Sequence, residues 1–421
     1  MVRSLIMDCK CTNHIENKPS FSLFNLLLLI ENNSQVNYYS FTLKLKMNNR
    51  NFDVIIIGGG LAGLVSSIDL AQRGTSVLVI EKKNFPLHKV CGEYLSNEVR
   101  PYLKRLGFVP ENLGAKKISR FMISSLDGAS STCEMNMGGF SISRYLLDKE
   151  LFSIALNSGV KIVTDTVVTN VSFLNVTQFE VNTANKNYYT KVVLGAYGKR
   201  SNLDKEIRSK FFYKRTNYVG VKCHFKGDHE DDLVSLHNFE GGYCGISKIE
   251  NGLLNISYLT TNNIVKRYKN TKELERFHLS KNPHLHAVFK NADSTFNKSL
   301  VVSQINFGIK QTVEKHVLMV GDAAGMIHPL CGNGMAMAIH GAKICVEQVS
   351  QFLNENISRD EMERQYSKNW DKQFKTRLTL GKYIEPLFGN KWTSNLALKP
   401  LKMLPGILPK LISLSHGKAI K

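Results

Sequence analysis

Apolar positions follow two rhythms along this chain. Val54–Ile57 is an unbroken apolar run and predicts a buried strand. Leu64, Ile68 and Ala71 then recur at helical spacing, Gly74 is placed to end that helix, and Val77–Ile80 is a second buried strand. A later helical stretch begins at Arg144, carries Leu147, Leu151, Ile154 and Ala155 on one face, and stops near Gly159. Between these helices, Lys82 to Ser96 reads as a loop, with Phe85-Pro86 as a breaker and Cys91-Gly92-Glu93 as a compact polar turn. The second rhythm is alternation. Short strands are expected at 160–164, 166–172, 178–183 and 191–195, as a small meander returning to the main sheet. Residues 211–309 alternate over short runs, including Tyr218–Phe225 and Leu253–Leu259, and predict the antiparallel sheet of a second domain. His316–Val320 is another buried strand, followed by a small-residue helix from Met335 to Val346.

The junctions between these elements carry the chemistry. Gly58-Gly59-Gly60-Leu61-Ala62-Gly63 lies between the first strand and the first helix, and Glu81 closes the second strand. The first glycine allows a tight turn, the next lets backbone approach a pyrophosphate, and the last lets helix pack on strand. Free N–H groups at the helix start then face phosphate, and Glu81 can accept hydrogen bonds from an adenosine ribose. The acid argues against a 2′-phosphate, so FAD or NAD is favoured over NADP at this site. A second glycine-rich junction follows the later strand: Gly321-Asp322, then Gly332-Asn333-Gly334-Met335. Here a carboxylate would accept polyol hydroxyls, and a helix N-terminus would stabilise negative charge by about 0.3–1 kcal/mol, which suits a reduced flavin.

Composition narrows the context only slightly. The formal charge of +20 is shared among scattered lysines, with no finger spacing and no aromatic-interleaved basic stripe, so nucleic acid is not expected as a partner. The 8 cysteines show no zinc or CxxC spacing and fit a reducing, cytoplasmic setting. Residues 1–46 lack consistent periodicity, and the apolar Phe21–Ile30 stretch is too short to span a bilayer. This extension is expected to be non-native or disordered, with Met47 as the start of the chain proper. The tail from Ala397 to Leu414 mixes Leu, Ile and Lys with three prolines and cannot form one straight helix. It suits a cover for a hydrophobic channel, a peripheral contact with anionic lipid, or plain packing on the second domain.

Together these motifs resemble the FAD-dependent oxidoreductases of the aromatic-hydroxylase and geranylgeranyl-reductase superfamily, over roughly residues 50–350. The resemblance implies an α/β fold: a Rossmann-like FAD-binding domain of glutathione-reductase type, an antiparallel-sheet substrate domain and C-terminal helices. Residues 47–210 would form the first part of the FAD domain, with a substrate-domain segment inserted near 101–140. Residues 211–309 would form the substrate domain, 310–350 the return of the FAD domain, and 351–421 a C-terminal helical region.

The implied FAD contacts are Gly58, Gly60, Leu61, Ala62, Gly63, Glu81, Lys82, Arg144, Gly321, Asp322, Gly332, Asn333, Gly334 and Met335. The turn Lys89-Val90-Cys91-Gly92-Glu93 resembles the cysteine turn that approaches the isoalloxazine in geranylgeranyl reductases. Cys91 and Glu93 are therefore the catalytic candidates, with Lys89 placed to lower the thiol pKa. His328 and Cys331, which flank Pro329, fall in the presumed flavin-facing loop, with packing as their first reading. Two family motifs are altered. Tyr197 stands where an aspartate is expected, which puts the pyridine-nucleotide step in doubt. Gly242–Ser247 replaces an aromatic-rich substrate turn and keeps only Tyr243, which puts an isoprenoid substrate in doubt. Halogenases fit less well, because neither Trp370 nor Trp392 lies in the motif those enzymes carry.

The expected function is that NAD(P)H, binding transiently, reduces FAD, and the reduced flavin acts on an apolar organic substrate such as a lipid, polyketide or isoprenoid. Monooxygenation through a C4a-hydroperoxide, giving hydroxylation or epoxidation, is slightly favoured for its breadth. Hydride reduction of a carbon–carbon double bond is the alternative. A binding protein or chaperone for a prenylated partner is the non-enzymatic rival. The apolar tail and Tyr197 motivate it, and the intact Gly58 and Asp322 motifs oppose it.

Overall fold

The computed structural model describes residues 50–208, 216–305, 307, 310–384, 389–390, 393–395 and 406–420. The expected extension 1–46 and its Met47 boundary lie outside the described residues. Strand β1 (Asn51–Ile57) turns through the glycines into helix α1 (Leu61–Gln72) and returns as β2 (Val77–Ile80). The two strands pair in parallel from Val54↔Val77 to Ile57↔Ile80. Both faces of β1 are covered, so Val54, Ile55 and Ile56 are fully buried and the run shows no alternation. Each such side chain contributes about 1.5–3 kcal/mol by leaving water.

The remaining strands of this sheet are β6 (Lys161–Val163), β7 (Val168–Asn175), β8 (Gln178–Thr183), β9 (Asn187–Gly195), β16 (Val313–Glu314) and β17 (Val317–Met319). Their order is β16-β17-β9-β1-β2-β6, with β7 and β8 reaching the sheet through β9. The meander is thus β7-β8-β9. The 160–164 strand, expected within it, instead pairs in parallel with β2. It follows α2 (Arg144–Asn157), so β2 and β6 are joined by a crossover, which a hairpin pattern cannot provide.

The second sheet contains β3 (Tyr94–Ser96), β4 (Lys116–Ser124), β5 (Ser130–Ser141), β10 (Tyr218–Lys226), β11 (Leu233–Phe239), β12 (Gly242–Lys248), β13 (Leu254–Thr261), β14 (Asp293–Ser294) and β15 (Leu300–Ser303). It is antiparallel except for the β11–β4 pair, which is parallel. Two expectations are corrected here. The end of the 82–96 loop is strand, because Tyr94, Leu95 and Ser96 pair with Ser141, Phe140 and Gly139. Gly242–Ser247, compared above with a turn, is part of the central strand β12 between β11 and β13. In both cases long-range pairing outweighs local sequence.

Helix α3 (Gly334–Leu353) extends past Val346, because Val349 continues its buried stripe and no breaker intervenes. Against it packs α4 (Arg359–Ile384), whose Trp370 and Phe374 are buried in the core around the first sheet. Gly325 makes room for the Trp370 ring, since a Cβ there would lie 2.8 Å from it. Of the tail, 397–405 lies outside the described residues; beyond it α5 (Ile407–Ser415) carries Pro409 within its first turn, where it is tolerated. Among the described residues no helix is long and apolar enough to cross a membrane.

Candidate cofactor and substrate site

The glycine loop is shaped by its own backbone. Gly58 has φ +107°, and a Cβ on it would lie 2.5 Å from the Ala196 carbonyl oxygen. A Cβ on Gly63 would lie 2.0 Å from the Gly58 oxygen, so the helix could not approach the strand. Gly60 differs, since nothing lies within 4 Å of its Cβ position and it borders an open cavity. Helix α1 starts there with no side-chain cap and no acid in its first turn, leaving its N–H groups directed at the cavity. Glu81 is fixed by the loop it serves: its carboxylate accepts from Gly59 N at 2.7 Å and Lys83 N at 3.0 Å. Leu61, Ala62, Glu81 and Lys82 also border the cavity.

At the second junction Asp322 follows β17 on a 3-10 turn, Gly321–Ala323. Its carboxylate receives no hydrogen bond from the described residues. Burial raises its pKa, and the charges of Arg144, Lys310 and Lys199 oppose that rise. Helix α3 begins without a side-chain cap or a first-turn acid, and Gly332, Gly334 and Met335 border the same cavity. Asn333 does not present its side chain there. Its amide donates to Glu98 at 2.7 Å and to the Ser415 carbonyl at 2.9 Å, holding the turn from behind. His328 is buried with its ring 4.4 Å from that of Phe307, and burial pushes the buried Cys331 thiol up to about 11.

The third group comes from the 88–93 loop. Arg144 opens α2 and is pinned by two 2.9 Å hydrogen bonds to Asp148, one turn on. Its guanidinium lies against the Cys91 thiol. Lys89 is engaged elsewhere, pairing with Asp148 at 2.7 Å. The expected lowering of the thiol pKa is therefore overturned: burial pushes Cys91 up, Glu93 adds to the rise, and Arg144 only partly offsets it. At neutral pH Cys91 is a thiol.

Glu93 is fully buried, with φ +55°. Its carboxylate accepts from Arg144 N at 2.6 Å, pairs with His224 Nε2 at 2.7 Å, and forms an ion pair with Lys222 Nζ. Burial alone would raise its pKa, but the His224 hydrogen bond and the Lys222 charge outweigh it and hold Glu93 below the usual range. Lys222 and His224 belong to no motif legible in the sequence. The available signal was two basic residues at i and i+2 on a strand whose other face, Val221, Cys223 and Phe225, is core.

One cavity of about 1160 Å³ joins these three groups to the second sheet. It exceeds the ~300–1,000 Å³ common for a single small-molecule site. Its far wall is apolar, with Ile123, Leu236, Tyr243 and Leu259 from the sheet and Leu408 and Ile412 from α5. Tyr197 borders the cavity near the glycine loop, with its hydroxyl 3.3 Å from the Met319 sulfur. Burial, followed by the Asp204 charge, pushes that phenol's pKa far up, so Tyr197 offers a neutral group where an aspartate would be charged. An open glycine cradle, two uncapped helix starts and an unbonded carboxylate fit the diphosphate and polyol of a flavin dinucleotide.

Comparison with known proteins agrees with this geometry. Residues 53–90 match the FAD binding domain family model, and residues 262–383 match that of squalene epoxidase. The chain is 25% identical over 354 residues to conditioned medium factor receptor 1 of Dictyostelium discoideum, covering 77% of this chain and 68% of that protein. It is 25% identical over 368 residues to the digeranylgeranylglycerophospholipid reductase of Methanococcus vannielii, covering 79% and 85%. Among solved structures, the flavin-dependent brominase Bmp2 superposes with a TM-score of 0.72 at 19% identity, over 88% of this chain and 94% of that one. At that identity the likeness is one of fold.

Proposed function

We propose that this member of the FAD-dependent oxidoreductase superfamily uses NAD(P)H as its electron source and reduces carbon–carbon double bonds of an apolar, isoprenoid-like substrate. The observation that carries this reading is the position of the Cys91 thiol, half-buried against Arg144 on a cavity that continues onto an apolar wall. In this assignment residues 47–210 and 310–350 form the FAD-binding part, the 101–140 segment and residues 211–309 form the substrate part, and 351–421 close it.

Bound FAD, once reduced, supplies a hydride. Everything else falls to the chain. Gly58, Gly60, Leu61, Ala62 and Gly63 hold the pyrophosphate, Glu81 and Lys82 the adenosine ribose end, and Gly321, Asp322 and Arg144 the ribityl chain. The backbone of Gly332–Met335 faces the electron-rich ring, where the start of α3 favours negative charge. Leu236, Tyr243, Leu408 and Ile412 exclude water and orient the substrate. Saturating a double bond takes a hydride at one carbon and a proton at the other, and Cys91 is the donor of that proton. Glu93 stands next to it: its backbone N–H is directed at Cys91 Sγ across 3.5 Å, and its carboxyl is assigned the return of a proton to the thiolate that donation leaves.

The test is anaerobic incubation of FAD-loaded protein with NADH or NADPH and a polyunsaturated isoprenoid alcohol, followed by mass spectrometry. A product gaining two hydrogens per bond supports the reading. A colourless protein that takes up no added FAD would sink it. The second reading, hydroxylation or epoxidation, draws on the squalene epoxidase match over 262–383, a stretch that includes Asp322 and the Gly332–Met335 turn. A product that gains oxygen, and forms only in air, selects it.

A further inference from the structure

Resting on the reading above, the polar group of the substrate can be given a place on the cavity wall. Tyr94 of β3 and His416, which follows α5, are 322 positions apart, and the Tyr94 hydroxyl lies 3.1 Å from His416 Nε2. Both residues border the cavity. So do Phe121, Met135, Val234 and Ile412, the apolar side chains that cluster with Tyr94. The pair is thus a polar spot in an apolar wall. Its phenol ring is held in place. A Cβ on Gly139 would lie 2.5 Å from that ring and a Cβ on Gly332 would lie 3.9 Å from it, so the ring stands between β5 and the turn assigned to the flavin.

The hydrogen-bond directions follow from the partners. His416 Nδ1 lies 2.8 Å from the Ile412 carbonyl oxygen, which can only accept, so Nδ1 carries the proton. Burial holds the His416 pKa below its usual value, although the Ile412 bond and the Glu98 charge oppose this, and the ring is neutral at neutral pH. Nε2 is therefore bare and accepts from the Tyr94 O–H. Burial, then the Glu98 charge, push the pKa of that phenol far up, so the proton stays on it. The other neighbours of the hydroxyl, the Gly138 carbonyl oxygen at 3.3 Å and the Met135 sulfur at 3.8 Å, are acceptors too. Tyr94 has one proton for three acceptors, and among the described residues no donor reaches its oxygen. A buried phenol oxygen that accepts nothing, on the wall of a substrate cavity, is a place for a ligand's donor.

We propose that the Tyr94 oxygen accepts a hydrogen bond from the substrate's hydroxyl, so that the site selects a neutral isoprenoid alcohol over the matching ether or phosphate. An ether brings no donor and leaves the oxygen unpaired. To use the Tyr94 proton it must take it from His416, whose Nε2 is then stranded. A phosphate brings charge without a counter-ion. The charges acting on the pair are those of Glu98 and Arg377, which approach each other at 3.5 Å, and neither residue borders the cavity.

The test is equilibrium dialysis of FAD-loaded, oxidised protein against farnesol, farnesyl methyl ether and farnesyl monophosphate. Farnesol should bind about tenfold or more tightly than its methyl ether, and the phosphate should bind most weakly. Tyr94→Phe deletes one oxygen and keeps the ring. It should weaken farnesol by about tenfold and leave the ether unchanged, so that the preference disappears. His416→Ala should act differently: it frees the Tyr94 proton to donate, so the ether should tighten while farnesol keeps its affinity. A pair that served packing alone would lose both ligands together.

Equal binding of farnesol and its ether to wild-type protein, a preference that survives Tyr94→Phe, or tightest binding of the phosphate overturns this inference and leaves the alkene-reductase reading standing. The wild-type comparison needs no variant to fold. Protein that takes up FAD yet binds none of the three probes overturns the isoprenoid-like substrate on which the inference rests.

Discussion

The Asn333 amide donates to the Glu98 carboxylate at 2.7 Å across 235 positions of sequence. The same NH2 reaches the Ser415 carbonyl, and Arg377 approaches the other Glu98 oxygen at 3.5 Å. Three distant segments thus meet behind the turn assigned to the flavin. Asn333→Ala should cost about 1–3 kcal/mol, because it strips a buried carboxylate of a close donor. Urea denaturation measures this, and an unchanged midpoint would contradict it.

Gly60 and Gly63 should respond oppositely to the same added methyl. In Gly63→Ala the Cβ meets a backbone oxygen at 2.0 Å, and neither partner can yield. The loop must open, which costs about 1–3 kcal/mol of stability and with it FAD affinity. In Gly60→Ala the methyl meets nothing in the protein but enters the cavity, so thermal stability without cofactor should hold while FAD affinity falls. Equal melting losses in the two variants would argue against this assignment of the loop.

The pH dependence of folding should contain two opposed carboxyl contributions. Burial raises Glu275 from 4.5 to about 7, although the Tyr258 hydroxyl donates to it at 3.1 Å. With the folded pKa raised, its contribution is present below the unfolded value and is lost as pH rises through about 7. Glu275→Gln should accordingly gain stability at about pH 8, with the gain vanishing in acid. Glu93 has the opposite sign. Its lowered pKa gives stability that is present above the unfolded value and is lost as pH falls through the folded one. Chemical denaturation across the pH range separates the two, and a flat Glu275→Gln difference would refute the first.

Cys91 should be a slow nucleophile. Its raised pKa leaves little thiolate at neutral pH, so alkylation by iodoacetamide should lag well behind that of a free thiol. Cys91→Ser should retain FAD and change turnover. Labelling of intact protein at the rate of free cysteine would mean the site is more open than this geometry allows.

Local pattern revealed one half of this site and hid the other. Gly58, Gly63, Glu81 and Asp322 stand at strand ends where backbone sterics demand particular residues, so they were legible along the chain. Lys222, His224 and Glu98 acquire meaning only through partners more than a hundred residues away. Lys89 shows the same limit. Its nearness to Cys91 in sequence implied an electrostatic partner, but Asp148, 59 positions on, claims the charge. Strand β3 has no local signature, because it is made by pairing Tyr94–Ser96 with Gly139–Ser141 of β5, more than forty positions on.

The meeting of Glu98, Asn333 and Ser415 also sets an order of events during synthesis. The ribosome delivers β1 and its glycine loop early, and β17, α3 and α5 much later. Until residue 415 has cleared the exit tunnel, the turn at Asn333 lacks one of its anchors. The turn assigned to the flavin is therefore held from a point 82 positions further along the chain, long after the glycine loop of β1 has been made.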